Sequence, residues 1–251
     1  MNYIHYCGSL YELIGANVWT LPFVNIDLQT KIARPAKEVR IDTIVKSARK
    51  VFCSCGFEKG SIVDIARDAG IAEGTIYRYF DGKRNLLDEV LRRHYAVIFD
   101  DIKQTLPSIR GHDNRLRYLV RRVLLAISED RGMAGLITRD MRQFDNEHAS
   151  LSQDLNRQIA VLMADEIKAG IKTGVFRADT SASIVCDMIG GGLELIAWSY
   201  MTNGKAIDVD KVTDSISQTV LSGIESRDTT PESLARLVNR LEHAADRLDP
   251  S

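Results

Sequence analysis

The stretch Gly56–Leu87, GFEKGSIVDIARDAGIAEGTIYRYFDGKRNLL, decides how the rest of the chain is read. Ser61 stands where an N-cap hydroxyl would, with Asp64 three residues on in a capping-box-like position. Ile62, Ile65, Ala66 and Ala69 then share one helical face, and Gly70 ends this short helix. A third short segment spans about Glu73 to Phe80, with Ile76 and Phe80 on its inner side. Two short helices joined by a tight Gly-containing turn form a helix-turn-helix. Ala66 must be small because the following helix crosses it at close range. Gly70 is placed to take a positive φ, and Ile76 plugs the angle between the helices. Ile65 and Phe80 complete this predicted core.

If the third helix enters a major groove, Glu73, Thr75, Tyr77, Arg78 and Tyr79 are the side chains that can reach bases and phosphates. Ser61, Lys83 and Arg40 join them as candidates for the DNA backbone. Upstream, Ile41, Ile44, Val45, Ala48, Val51 and Phe52 form the stripe of a first amphipathic helix, for which Cys55-Gly56 is the expected stop. Downstream, apolar spacing predicts a long helix over 85–109 and further helices near 113–130, 133–145, 150–173, 180–202 and 209–226. After Pro231 a narrow apolar stripe, Leu234 to Leu248, marks a last amphipathic helix. It can pack on its own body or extend a dimer contact. The fold class is all-α: a three-helix helix-turn-helix domain (36–84) followed by a helical body (85–226). A poorly structured extension (1–35) precedes them and a C-terminal helix (227–251) follows.

Charge divides along the same line. The net charge is −1, yet residues 1–30 carry −2, residues 31–84 carry +5 and residues 85–251 carry −4. A basic segment thus precedes a mildly acidic body, as expected if only the former lies on phosphates. The uncharged run Leu13–Ile26 is 14 residues and contains Asn17, Pro22 and Asn25, too little for a membrane span of about 20 apolar residues. With no basic residue before Lys31 it also lacks the start of a secretory signal, so a cytoplasmic protein is expected. Cys7, Cys53, Cys55 and Cys186 have no CxxC spacing and the five histidines no ligand spacing, so no metal and no cofactor is expected. No GxSxG or phosphate loop appears, and Gly190-Gly191-Gly192 lies inside an apolar helical run, so catalysis is not expected. These glycines suit close helix packing at a dimer interface.

The stretch Gly56–Leu87 resembles the DNA-binding domain of the TetR family of bacterial transcriptional regulators. The family pattern appears as Gly56-Phe57, Ile65-Ala66, Ala69-Gly70-Ile71, Gly74-Thr75-Ile76-Tyr77, Phe80, Lys83 and Leu86. Gly60 replaces a usual Thr, leaving Ser61 as cap and phosphate donor. Ala72 replaces a frequent capping Ser at the third helix. The resemblance implies a homodimer reading a palindromic operator in double-stranded DNA, with 36–84 as the DNA-binding domain and 85–226 as a domain that binds a small molecule and dimerises. Gly135–Asn146, Ile167–Asp179 and Gly192–Met201 are similar to the branch that senses long-chain acyl-CoA and represses fatty-acid degradation. Expected pocket residues are Met133, Leu136, Ile137, Met141 and Phe144, with Arg139 and Arg142 suited to an anionic head. The same spacing fits an ordinary filled core and a solvated Arg face. An activator, or a repressor of an efflux operon sensing another lipophile, is the alternative.

Overall fold

The computed structural model describes residues 36–142 and 150–226, and the described residues from Val39 onward fall in one compact unit. Among the described residues there are nine α-helices: α1 (Ala36–Lys59), α2 (Ile62–Ala69), α3 (Glu73–Tyr77), α4 (Lys83–Thr105), α5 (His112–Glu129), α6 (Arg131–Met141), α7 (Leu151–Lys172), α8 (Ala182–Asn203) and α9 (Val209–Ile224). The described residues hold no strand, only one isolated bridge between Phe176 and Glu225. The all-α expectation is met, and the predicted body helices fall within a few residues of the observed ones.

The local chemistry explains the helix ends. The Ser61 hydroxyl accepts a hydrogen bond from the Asp64 amide at 3.1 Å and caps α2. Gly70 closes it in the left-handed region (φ +66°), and the Ile71 amide donates back to the Ala66 carbonyl at 3.0 Å. Ala72 gives α3 no side-chain cap, so this helix of five residues depends on Ile76, which is fully buried. α3 ends at Tyr77, earlier than the Phe80 expected from spacing; a turn carries the chain on, and Phe80 is buried beyond it. Gly56 (φ +84°) does not stop the first helix at Cys55. It kinks it, and helical turns resume to Lys59.

Two hydrophobic cores result. The first joins Ile44, Ala48 and Phe52 of α1, Ile65 of α2, Ile76 and the α4 residues Leu86, Leu87 and Leu91. The second joins Tyr95, Ile98 and Ile102 of the same α4 to α5, α7 and α8. The two cores meet along one helix, with Leu91 in the first and Tyr95 in the second.

α8 is the described helix long and apolar enough to cross a membrane by length and composition. Its inner face, Val185, Ile189, Leu193 and Ala197, is part of the core, whereas Ile184, Met188, Leu195 and Trp198 are exposed. Gly190-Gly191-Gly192 makes no close contact within the chain. A Cβ at any of the three would meet no atom within 4 Å, and Gly190 and Gly191 face open space. The predicted extension 1–35 and tail helix 227–251 lie outside the described residues.

Elsewhere a glycine is dictated by contact. A Cβ at Gly170 would stand 2.2 Å from the Phe176 ring, which is buried and tied to α9 through the Arg177 amide and the Ile224 carbonyl at 2.8 Å. Gly170→Ala should therefore lower stability by about 1–3 kcal/mol, read as a reduced urea midpoint with an unchanged slope.

Candidate nucleic-acid interface and effector cavity

Of the eight residues expected to face DNA, four are exposed and four are half-buried. Glu73, Tyr77 and Arg78 of the α3 region are exposed, Tyr77 by 56%, and Arg40 is exposed on α1. Arg40 and Arg78 have no ion-pair partner among the described residues, so their charge is available to a polyanion. Thr75 and Tyr79 are half-buried, and Tyr79 packs against the first core, so only part of each side chain faces outward. Ser61 is engaged on both sides: besides capping α2, its hydroxyl donates to Asp64 Oδ2 at 2.5 Å. That hydrogen bond, with Arg67 nearby, holds the Asp64 carboxyl below the usual carboxylate range.

Lys83 has a second job that sequence reading missed. Its ammonium donates to the Glu58 carbonyl at 3.2 Å and sits 4.4 Å over the Phe57 ring, tying the start of α4 to the end of α1. Any phosphate contact by Lys83 thus starts from a half-buried, positioned side chain.

The body contains a cavity of about 460 Å³, walled by α4, α5, α6, α7 and α8. Its apolar lining includes Ile98, Val123, Ala134, Ile159, Met163 and Leu193. Of the residues expected to line a pocket, Ile137 and Met141 do so. Met133 and Leu136 instead belong to the first core, because they project from the side of α6 that faces the helix-turn-helix. Arg139 lies outside the cavity, its guanidinium folded over Gly135. Arg142 is held at 3.0 Å by Glu194, and its guanidinium carbon stands 4.2 Å from the Trp198 ring centroid. It is thereby partly neutralised as a site for an anionic head. Phe144 lies outside the described residues. The remaining wall residues, among them His94, Asn156 and Cys186, come from segments far apart in sequence.

α6 therefore has two faces with different neighbours. Asp130 caps it, accepting from the Met133 amide at 2.9 Å, and the same carboxylate pairs with Arg49 of α1 at 2.5 Å. At the other end the buried Asp140 pairs with Arg84 of α4 at 2.8 Å and accepts from the Ser152 amide at 3.3 Å. Between them Cys53 of α1 touches Gly132, where an added Cβ would stand 2.7 Å from the Cys53 Cβ. Burial, aided by Asp130, pushes the Cys53 thiol up to about 11, so it packs as a neutral group. Ala134, Ile137, Thr138 and Met141 face the cavity, while Met133 and Leu136 are wedged into the helix-turn-helix core.

A small helix-turn-helix head with an exposed third helix, seated on a helical body, defines a DNA-binding transcriptional regulator. Residues 44–90 match the family described as bacterial regulatory proteins, tetR family, and residues 110–224 match the tetracyclin repressor-like C-terminal domain. The chain belongs to the TetR family. It is 26% identical over 193 residues to the HTH-type transcriptional repressor KstR2 of Rhodococcus jostii (strain RHA1), covering 76% of this chain and 93% of that protein. Among solved structures, it resembles FadR from Bacillus subtilis in complex with stearoyl-CoA, with TM-score 0.67 and 19% identity, covering 73% of this chain and 99% of that one. It also resembles the ketosteroid transcriptional regulator KstR2 of Mycobacterium tuberculosis, with TM-score 0.60 and 24% identity, covering 74% and 95%.

One wall residue carries a titration that stability should report. Burial, with Arg49 and Arg122 nearby and only Asp130 opposing, pushes His94 down to about 4. The folded protein thus disfavours the charged imidazole, whereas the unfolded chain takes up its proton near pH 6.5. This contribution is absent above that pH and grows as a destabilisation as pH falls toward about 4. Between about pH 7.5 and about pH 5 it should amount to about 2 kcal/mol, and His94→Asn should remove that part of the pH dependence of the urea midpoint.

Proposed function

We propose that the protein is a homodimeric, cytoplasmic repressor that binds a palindromic operator through α3 and is released when a small hydrophobic effector, such as an acyl-CoA, enters the body cavity. The observation that carries this reading is the double role of α6. The helix that walls the cavity with Ile137 and Met141 also supports the DNA-binding core with Met133 and Leu136. An effector that displaces the first pair must disturb the second, because the packed interior transmits strain instead of absorbing it. The Arg49–Asp130 and Arg84–Asp140 pairs link the same two parts.

In this reading residues 36–84 read DNA, with Glu73, Thr75, Tyr77, Arg78 and Tyr79 toward the major groove and Arg40, Ser61 and Lys83 toward phosphates. Residues 85–226 hold the effector and the dimer contact. A second copy is favoured by α8, whose outward Met188 and Leu195 are each 66% exposed beside Ile184 and Trp198. Paired with α9 of both copies, this face would form a four-helix contact, closed by two-fold symmetry to match a palindrome. The stearoyl-CoA bound by the Bacillus subtilis relative and the ketosteroid regulator among the neighbours support a lipophilic effector. The mainly apolar cavity suits a tail inside and a polar head left in water.

A mobility-shift assay with the DNA upstream of the gene tests the reading. Binding should fall steeply between low and moderate salt, and acyl-CoAs should release the complex; acyl-CoAs of several lengths that all leave it intact would sink that effector class. Tyr77→Ala and Lys83→Ala should weaken binding across sequences, whereas Arg78→Ala should relax sequence preference if its guanidinium reaches a base. Arg49→Ala should leave effector binding unchanged while blunting release, measured by calorimetry beside the mobility shift.

A further inference from the structure

His94 stands where α4 passes from one core to the other, three residues after Leu91 and one before Tyr95. It lines the cavity, and the other uncharged polar side chains on the wall each have at least one hydrogen-bond partner. The Thr138 hydroxyl donates to the Ala134 carbonyl at 2.8 Å, and the Gln153 amide donates to the Met141 carbonyl at 2.8 Å. Asn156 donates to the Ser152 carbonyl at 3.0 Å and bonds Tyr95. The charged wall residues Arg157 and Asp187 are exposed, and Glu194 is held by Arg142. His94, by contrast, has an edge contact with the Tyr95 ring, 5.7 Å between centroids. Among the described residues neither of its ring nitrogens has a hydrogen-bond partner.

We propose that His94 is the specificity-determining residue of the cavity, donating a ring N–H to a carbonyl oxygen of an otherwise apolar effector. A neutral imidazole has one donor and one acceptor nitrogen, and burial, with Arg49 and Arg122 nearby, favours that form. Set in an apolar wall, one unpartnered donor rewards a ligand that brings an acceptor and gives nothing to a plain hydrocarbon of the same shape. The chemistry is shared by a ketone, an ester and an acyl thioester, so it deepens the effector reading above and rests on it.

Two probes of nearly equal shape, 2-acetylnaphthalene and 2-ethylnaphthalene, separate the parts of the proposal when titrated into the full chain by calorimetry. The ratio of their affinities should shift against the ketone by about fivefold to tenfold in His94→Phe and in His94→Ala, and should be kept in His94→Gln, which restores an N–H donor. Equal ratios in the unaltered protein and in both truncating variants would overturn the role of His94 while leaving the cavity as the effector site. Ala160→Trp, which fills the cavity from α7, should abolish binding of both probes. If both probes still bind that variant, or neither binds the unaltered protein, the cavity reading falls and the proposal with it.

Discussion

Eleven residues of α6 have to be buried on two sides at once, and the rest of the structure is arranged around that requirement. The helix is pinned at its start by Asp130, which caps it and holds Arg49 of α1. It is pinned near its end by Asp140, a buried carboxylate held by Arg84 and a backbone amide. Removing the partner of the buried Asp140 leaves a charge poorly compensated, so that end is expensive to move. Between the pins, Gly132 lets α1 approach to the distance at which Cys53 touches backbone. α6 is thus a shared wall, and the helix-turn-helix core is incomplete without Met133 and Leu136.

The helix-turn-helix depends on this support more than on its own helices. A helix of five residues without a side-chain cap has almost no stability alone. α3 keeps its place because Ile76 is sunk in a core built by α1, α2, α4 and α6, and because Gly70 turns the chain in the left-handed region. That division leaves Tyr77 and Arg78 free of structural duty, which is what a surface that must meet a partner requires. Lys83 shows the opposite arrangement, a charged side chain that holds α1 to α4.

α8 explains an ambiguity in the composition. Its apolar character extends almost all round, which for an isolated helix would read as a membrane span. About a third of the helix is buried in the core, while Ile184, Met188, Leu195 and Trp198 face outward where a second copy is proposed to cover them. Two of its three glycines, Gly190 and Gly191, line the cavity, and none packs against a neighbour in the same chain.

Ser61, Gly70 and Ile76 were legible in the sequence because each acts through residues within about ten positions, where capping, a positive φ and helical period leave few alternatives. The all-α class and the order of the helices followed from the same local rules. The cavity was not legible in that way. On α6, Met133 and Leu136 differ from Ile137 and Met141 by a rotation about the helix axis that apolar spacing cannot resolve when both sides are buried. His94, Asn156 and Cys186 arrive at one wall from α4, α7 and α8. The only sequence signal of His94 was a polar residue on an apolar stripe between Leu91 and Ile98, a pattern that fits a solvated position equally well. Local periodicity determined which residues turn inward. Only the packing of distant helices decided whether inward meant a filled core or an open cavity, because that depends on neighbours the local chain does not contain.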